Sequence, residues 1–163
     1  MPECVQEKVS LAPYTTLKVG GTADYFAEIT TEAELMEVIR WAKKEALPII
    51  TLGGGSNVLI DDAGIRGVVV HMKIRGITTH TNPDGEYVEV GAGEVWDDFV
   101  EYTTQRGLWG LENLSGIPGS IGAAPVQNIN AYGSSVADSI TLVRAYHSES
   151  GEQVTLGKEA CRF

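Results

Sequence analysis

Two glycine-rich stretches hold the residues that could do chemistry. The first is Gly53, Gly54 and Gly55 followed by Ser56 and Asn57. Glycine adopts φ > 0 without steric cost, so a run of glycines can turn several N–H groups onto one anion. A hydroxyl and an amide beside that run can reach phosphate oxygens. A tight turn without a ligand fits the same residues, and the stretch taken alone leaves both readings open. The second stretch, residues 110–133, reads GLENLSGIPGSIGAAPVQNINAYG. An irregular segment of that length inside a compact domain is uncommon unless it binds something, or packs on itself as an Ω-loop. After Glu112 it lacks charge and is rich in Gly, Ala, Ile, Pro and amides. Those residues suit a large, planar, mostly apolar ligand, with Gln127 and Asn128 offering donors and acceptors to a heteroaromatic edge such as a flavin.

Other phosphate and metal motifs are excluded. No Lys follows the first glycines, so they are not a P-loop. The run Gly91-Ala92-Gly93 starts like a dinucleotide fingerprint, but Trp96 stands where the third small residue belongs. His71, His80 and His147 lie too far apart for ligand-type spacing. His71 ends an apolar run and reads as a satisfied polar group. Asp61 and Asp62 read as a solvated turn. Trp41 and Trp96 fall in helical stretches and read as packing residues. Trp109 precedes the long loop and reads as core, with a ligand shield as the alternative.

The elements that must position these stretches follow from periodicity. ADYFAEI (23–29) is a short aromatic-rich strand. Residues 30–46 read as a helix, with a Thr31/Glu34 capping box and Leu35, Val38, Ile39, Ala42 and Ala46 on one face. LPIITL (47–52), VLI (58–60) and GVVVHM (67–72) read as strands, which makes the first glycine run a strand-loop-strand site. Residues 77–81 and 86–92 flank Asn82-Pro83-Asp84-Gly85, strong hairpin chemistry. Residues 94–107 read as a helix with Val95, Phe99 and Tyr102 on one face and Gly107 as its stop. Residues 139–147 and 152–156 read as a second hairpin. The expected layout is two α+β lobes, 1–72 and 73–163.

Composition bounds the function. Of 163 residues, 43% are hydrophobic and 21% charged, with 19 glycines, as in a globular protein with several tight backbone sites. A net charge of −10 argues against nucleic-acid binding, which needs clustered Lys and Arg. No apolar run is long enough to span a bilayer, and no secretory leader is visible. Cys4 and Cys161 make no disulfide framework, so a cytoplasmic setting is the expectation. No obligate protein partner is implied. The closing residues LGKEACRF read as the first turn of a further element, so the chain is expected to be part of something longer.

Three blocks, PYTTLKVGGTADYF, PIITLGGGSNVLI and GLENLSGIPGSIGAAPVQNINAYG, in this order and spacing, resemble the UDP-N-acetylenolpyruvoylglucosamine reductase family of bacterial peptidoglycan precursor synthesis. The resemblance runs from about Leu11 to the last residue. It implies an α+β, two-lobed FAD-binding domain of the vanillyl-alcohol-oxidase/PCMH type, without the family's substrate domain. It also implies FAD bound non-covalently between the lobes. Leu52, Gly53, Gly54, Gly55, Ser56, Asn57 and Val58 match the family's pyrophosphate loop. Ile117, Pro118, Gly119, Ser120, Ile121 and Gly122 match the segment along the pyrophosphate and ribityl chain, and Ala124 and Pro125 follow. Gln127, Asn128 and Ile129 match positions beside the isoalloxazine, and Tyr132 a position on the substrate side. The implied partners are NADPH as co-substrate and a UDP-sugar enolpyruvate as substrate. Catalytic residues are expected beyond Phe163, and no metal is implied. A tethered-flavin oxidase of the vanillyl-alcohol-oxidase type is the enzyme alternative. It is disfavoured because no His or Cys lies between His80 and His147. A nucleotide-binding module without catalysis is the other.

Overall fold

The computed structural model describes residues 1–83 and 85–163, so Asp84 of the expected hairpin turn lies outside the described residues. Strands β1 (Val5–Ser10) and β2 (Thr22–Ile29) pair antiparallel. Helix α1 (Glu32–Lys44) then carries the chain over to β3 (Ile49–Leu52), and β4 (Ile65–Met72) inserts between β2 and β3. The sheet order is β1-β2-β4-β3, with β4 parallel to both neighbours.

The central strand is apolar on both faces because both are covered. Val68 and Val70 join Ala27, Ile29, Leu35, Val38, Ile39 and Ala42 in the core under α1. Val69, one residue out of phase, packs on the opposite face with Leu11, Ala23, Phe26 and Leu52. The Thr31 hydroxyl accepts from the Glu34 N–H at 3.2 Å and the Glu34 carboxylate accepts from the Thr31 N–H at 3.0 Å, completing the expected capping box.

The rest of the chain is built from a hairpin, β5 (Ile77–Asn82) with β6 (Gly85–Val90), and helix α2 (Trp96–Gln105). Short elements follow: α3 (Ala123–Gln127), β7 (Asn130–Ala131), β8 (Ser134–Ser135) and α4 (Val136–Ser139). The hairpin β9 (Leu142–Tyr146) with β10 (Gln153–Gly157) and the turn α5 (Lys158–Cys161) end the chain. The core of β5, β6, α2, α3 and α4 is Trp96, Phe99, Val100, Leu111, Leu114, Ala124 and Val136, whereas Tyr146 of β9 packs against the core under α1. Gly107 stops α2 at φ +69°, donating to the Thr104 carbonyl.

Several sequence expectations are corrected. Residues 58–60 are not a strand. They belong to the crossover that joins two parallel strands, which must run back over the sheet and so has no ladder partner. Ala46 leaves the helical face because its φ of +53° ends the helix, and it is exposed. Val95 caps α2 and is exposed, so Trp96 and Val100 accompany Phe99 on the buried face instead. Trp109 is 86% exposed and is no core residue; the next turn of chain fills that core with Leu111 and Leu114. Residues 110–133 are less irregular than their composition suggests, since they contain a 3-10 turn (Glu112–Leu114), α3 and β7. Strand β1 is a feature the sequence did not announce, because its pattern is largely polar and exposed.

Candidate cofactor-binding site

Strand β3 delivers the chain to the first glycine run at its C-terminal end, beside the insertion of β4. Open sheets bind ligands at that edge, where the strand order reverses. Leu52 is buried and anchors the bend. Gly55 sits at φ +69°, where an added Cβ would lie 2.0 Å from the Tyr14 carbonyl oxygen, so glycine is required for both conformation and space. Its carbonyl accepts from the Thr16 N–H at 2.9 Å, tying the bend to the loop after β1. Among the described residues, the main-chain N–H groups of Gly54, Gly55, Ser56 and Asn57 find no hydrogen-bond partner.

The second glycine stretch faces the first. Gly54 lies against Gly119, whose Cα would be 3.0 Å from an added Cβ. An added Cβ on Gly53 would sit 2.6 Å from the Ser120 Oγ. The Ser56 hydroxyl donates to the Pro118 carbonyl at 3.2 Å, and the Asn57 amide donates to the Gln127 side-chain oxygen. The structure therefore brings residues 53–57 and 118–127 together through contacts 62 and 70 residues apart in sequence. Gly119 to Gly122 are held from behind by the turn before α2: the Trp96 N–H donates to the Gly119 carbonyl, and Ile121 and Gly122 donate to Glu94 and Ala92. Residue Ser120 is 6% exposed, yet its hydroxyl has no partner among the described residues. An orphaned buried hydroxyl costs about 1–3 kcal/mol, so its retention points to a partner supplied by a ligand.

The other expected residues divide by role. The side chains of Ile117, Ile121, Ala124 and Ile129 pack into the core. Pro125 lies in α3, and Asn128 closes that helix at φ +42°, its side-chain oxygen accepting from the Ser135 hydroxyl at 3.2 Å. Val58 and Tyr132 point outward, Tyr132 at 90% exposed. The stretch before α3 is stitched by acids. Asp97 accepts from the Gly116 N–H at 2.7 Å and the Ser115 hydroxyl at 2.8 Å, and these bonds hold its carboxyl below the usual range. Glu112 is lowered likewise by backbone N–H groups, among them that of Gly110 at 2.7 Å.

Residues outside the expected set complete the site. A cavity of about 300 Å³ opens beside Gly54, lined by Tyr14, Thr15, Lys18, Glu28, His71 and Lys73 among others. His71 is 6% exposed, and its Nδ1 lies 3.1 Å from the Glu28 carboxylate. Burial, then the nearby Lys73 charge, push its pKa below the ordinary 6.5, while Glu28 and the Gly53 backbone oppose that shift. Sequence reading treated His71 correctly as a satisfied polar group but gave no sign that it sits under the bend, because the parallel crossing that places it there is long-range. Among the described residues no group of three or more His, Cys, Asp or Glu could hold a metal, and no helix is long and apolar enough to cross a membrane.

The unpaired amides and the orphaned hydroxyl lie on two glycine stretches that pack against each other, a donor set that suits a diphosphate. Residues 23–157 match the family model of the FAD binding domain, so the chain belongs to that family. Its α+β fold is that of the vanillyl-alcohol-oxidase/PCMH group. A vanillyl-alcohol-oxidase-type flavoprotein from Myceliophthora thermophila superposes with a TM-score of 0.65 at 19% identity over 84% of this chain and 27% of its own. A 6-hydroxy-D-nicotine oxidase from Arthrobacter nicotinovorans superposes with a TM-score of 0.67 at 18% identity over 95% and 36%. More narrowly, the chain is homologous to the N-terminal FAD-binding domain of UDP-N-acetylenolpyruvoylglucosamine reductase. It is 44% identical to the Streptomyces coelicolor reductase over 99% of this chain and 42% of that protein. The Thermus caldophilus reductase structure superposes with a TM-score of 0.75 at 30% identity, covering 94% of this chain and 52% of that one. The chain thus spans less than half the length of the curated relative quoted.

Proposed function

We propose that this chain binds FAD non-covalently and serves as the cofactor-binding part of an NADPH-dependent reductase. That reductase converts a UDP-N-acetylglucosamine enolpyruvate to UDP-N-acetylmuramate, in the bacterial cytoplasm. The observation that carries the reading is the set of four unpaired N–H groups, from Gly54 to Asn57, in a bend packed against the stretch that holds the orphaned Ser120 hydroxyl. The names printed for the reductase relatives support the substrate class.

The residues divide the work as follows. The N–H groups of Gly54, Gly55, Ser56 and Asn57 bind the diphosphate, with the Ser120 hydroxyl donating from the other side. Residues 117–122 run along the ribityl chain. Gln127, Asn128 and Ile129 flank the flavin ring, and Tyr132 stands on the substrate side. Bound FAD supplies the hydride chemistry, and the protein supplies position and electrostatics. No residue of 1–163 is assigned a catalytic role. The lobes 1–72 and 73–163 hold the cofactor between them.

Titration of the protein with FAD, followed by flavin fluorescence, tests this reading. Saturable binding, competed by ADP more strongly than by riboflavin, is the expected result, because the proposed grip is on the diphosphate. Absence of binding, or competition by riboflavin alone, refutes it. Acid precipitation should release all the flavin into the supernatant; flavin retained in the pellet would instead indicate a covalent tether.

A further inference from the structure

We infer that His71 is a positioning residue for the diphosphate-binding bend, oriented by Glu28 and acting through Tyr14. This inference rests on the cofactor reading above only for its affinity measurement.

His71 lies at the end of β4 and meets three different elements. Its Nδ1 lies 3.1 Å from the Glu28 carboxylate of β2. A carboxylate facing a neutral imidazole accepts its proton-bearing nitrogen, which fixes the ring plane and tautomer. The ring then stands edge-on to Tyr14, with centroids 5.2 Å apart, and at 5.9 Å from Phe26, while Tyr14 and Phe26 are 4.4 Å apart. The carbonyl of Tyr14 is the atom that forbids a side chain at Gly55, and the Thr16 N–H two residues on holds the Gly55 carbonyl. The Gly53 backbone lies against the same imidazole. Both the bend and the loop that buttresses it therefore rest on one buried ring. The unpaired N–H groups of residues 54–57 make no internal bonds that could hold the bend by themselves. Its conformation is set from outside, by the Thr16 N–H on the Gly55 carbonyl, by the Ser56 and Asn57 side chains on Pro118 and Gln127, and by the ring beneath Gly53.

The test compares His71→Leu, Glu28→Ala and Glu28→Gln with the parent protein. Glu28→Gln keeps a side-chain oxygen to accept from Nδ1, whereas Glu28→Ala frees the ring. Amide hydrogen exchange of Thr16, whose N–H donates to the Gly55 carbonyl at 2.9 Å, is measured without FAD, and FAD affinity by fluorescence titration. His71→Leu should speed exchange at the Thr16 amide that holds the bend and weaken FAD binding, each by about tenfold, the scale of one lost charged hydrogen bond. Glu28→Ala should shift both in the same direction, and Glu28→Gln should return both to within about twofold of the parent protein. Unchanged exchange in His71→Leu, or equal behaviour of the two Glu28 variants, overturns the proposal. Should His71→Leu fail to fold, the two variants at the half-exposed Glu28 decide the question alone. A parent protein that takes up no FAD refutes the cofactor reading, while the exchange comparison still decides the role of His71.

Discussion

At the scale of single residues, the site depends on groups whose costs are visible without a ligand. Ser120 is the sharpest case: burial of an unpartnered hydroxyl is unfavourable in the free protein and favourable only once an acceptor arrives. Ser120→Ala is therefore expected to leave stability unchanged or slightly raised, while weakening FAD binding by roughly tenfold or more, the value of a hydrogen bond to a charged group. Urea unfolding and flavin titration on the same preparation check the two halves. Gly55→Ala should behave in the opposite way. The added methyl would lie 2.0 Å from the Tyr14 carbonyl oxygen at φ +69°, so destabilisation of about 1–3 kcal/mol is expected in urea unfolding. His71 gives a pH signature. Its folded pKa is depressed below the ordinary 6.5 by burial and by Lys73, with Glu28 opposing, so the unfolded chain binds its proton more readily. The stabilising contribution is complete above about pH 6.5 and is lost as pH falls below it. The drop in urea midpoint between pH 7.5 and 5.5 should accordingly be smaller in His71→Asn than in the parent protein.

At the scale of elements, the glycine bends are placed by ordinary secondary structure. Strand β3 ends beside the C-terminal end of β4, with Leu52 opposite His71, and α1 sets the crossing between β2 and β3. The start of α1 is fixed by the reciprocal Thr31/Glu34 box, in which the Glu34 carboxylate also accepts from Thr30. Thr31→Ala is expected to cost about 1 kcal/mol, read as a lower urea midpoint. The capping signal was legible in sequence because it is local: donor and acceptor are three residues apart. The strand expected at residues 58–60 was misread for the converse reason. Val58 and Leu59 have strand-like side chains, but a strand exists only when a neighbour pairs with it, and the crossover geometry removes the neighbour. Strand β1 shows the same physics reversed, a polar sequence made into strand by pairing with β2.

At the scale of the molecule, the β9–β10 hairpin reaches back onto α1. Arg144 bridges Glu32 at 3.1 Å and Glu89 at 2.8 Å, and the Tyr146 hydroxyl donates to Glu32 at 2.6 Å. These groups are about half exposed, so Arg144→Ala is expected to cost under about 1 kcal/mol. Leu114→Ala, at a fully buried side chain, should cost about 2–5 kcal/mol by the same unfolding measurement. The chain alone determined that its first half alternates strand and helix, that residues 77–81 and 86–90 pair as a hairpin, and that Gly107 stops a helix, and it marked two glycine-rich stretches as distinctive. Each of those rests on contacts between residues close in sequence or on composition. The tertiary structure alone decided that Gly54 lies against Gly119, that Ser120 is buried without a partner, that Trp109 faces solvent, and that His71 and Tyr14 stand beneath the bend. Those are pairings across long stretches of chain, set by strand order and crossover geometry, and no local pattern encodes which distant residue arrives to fill a given space.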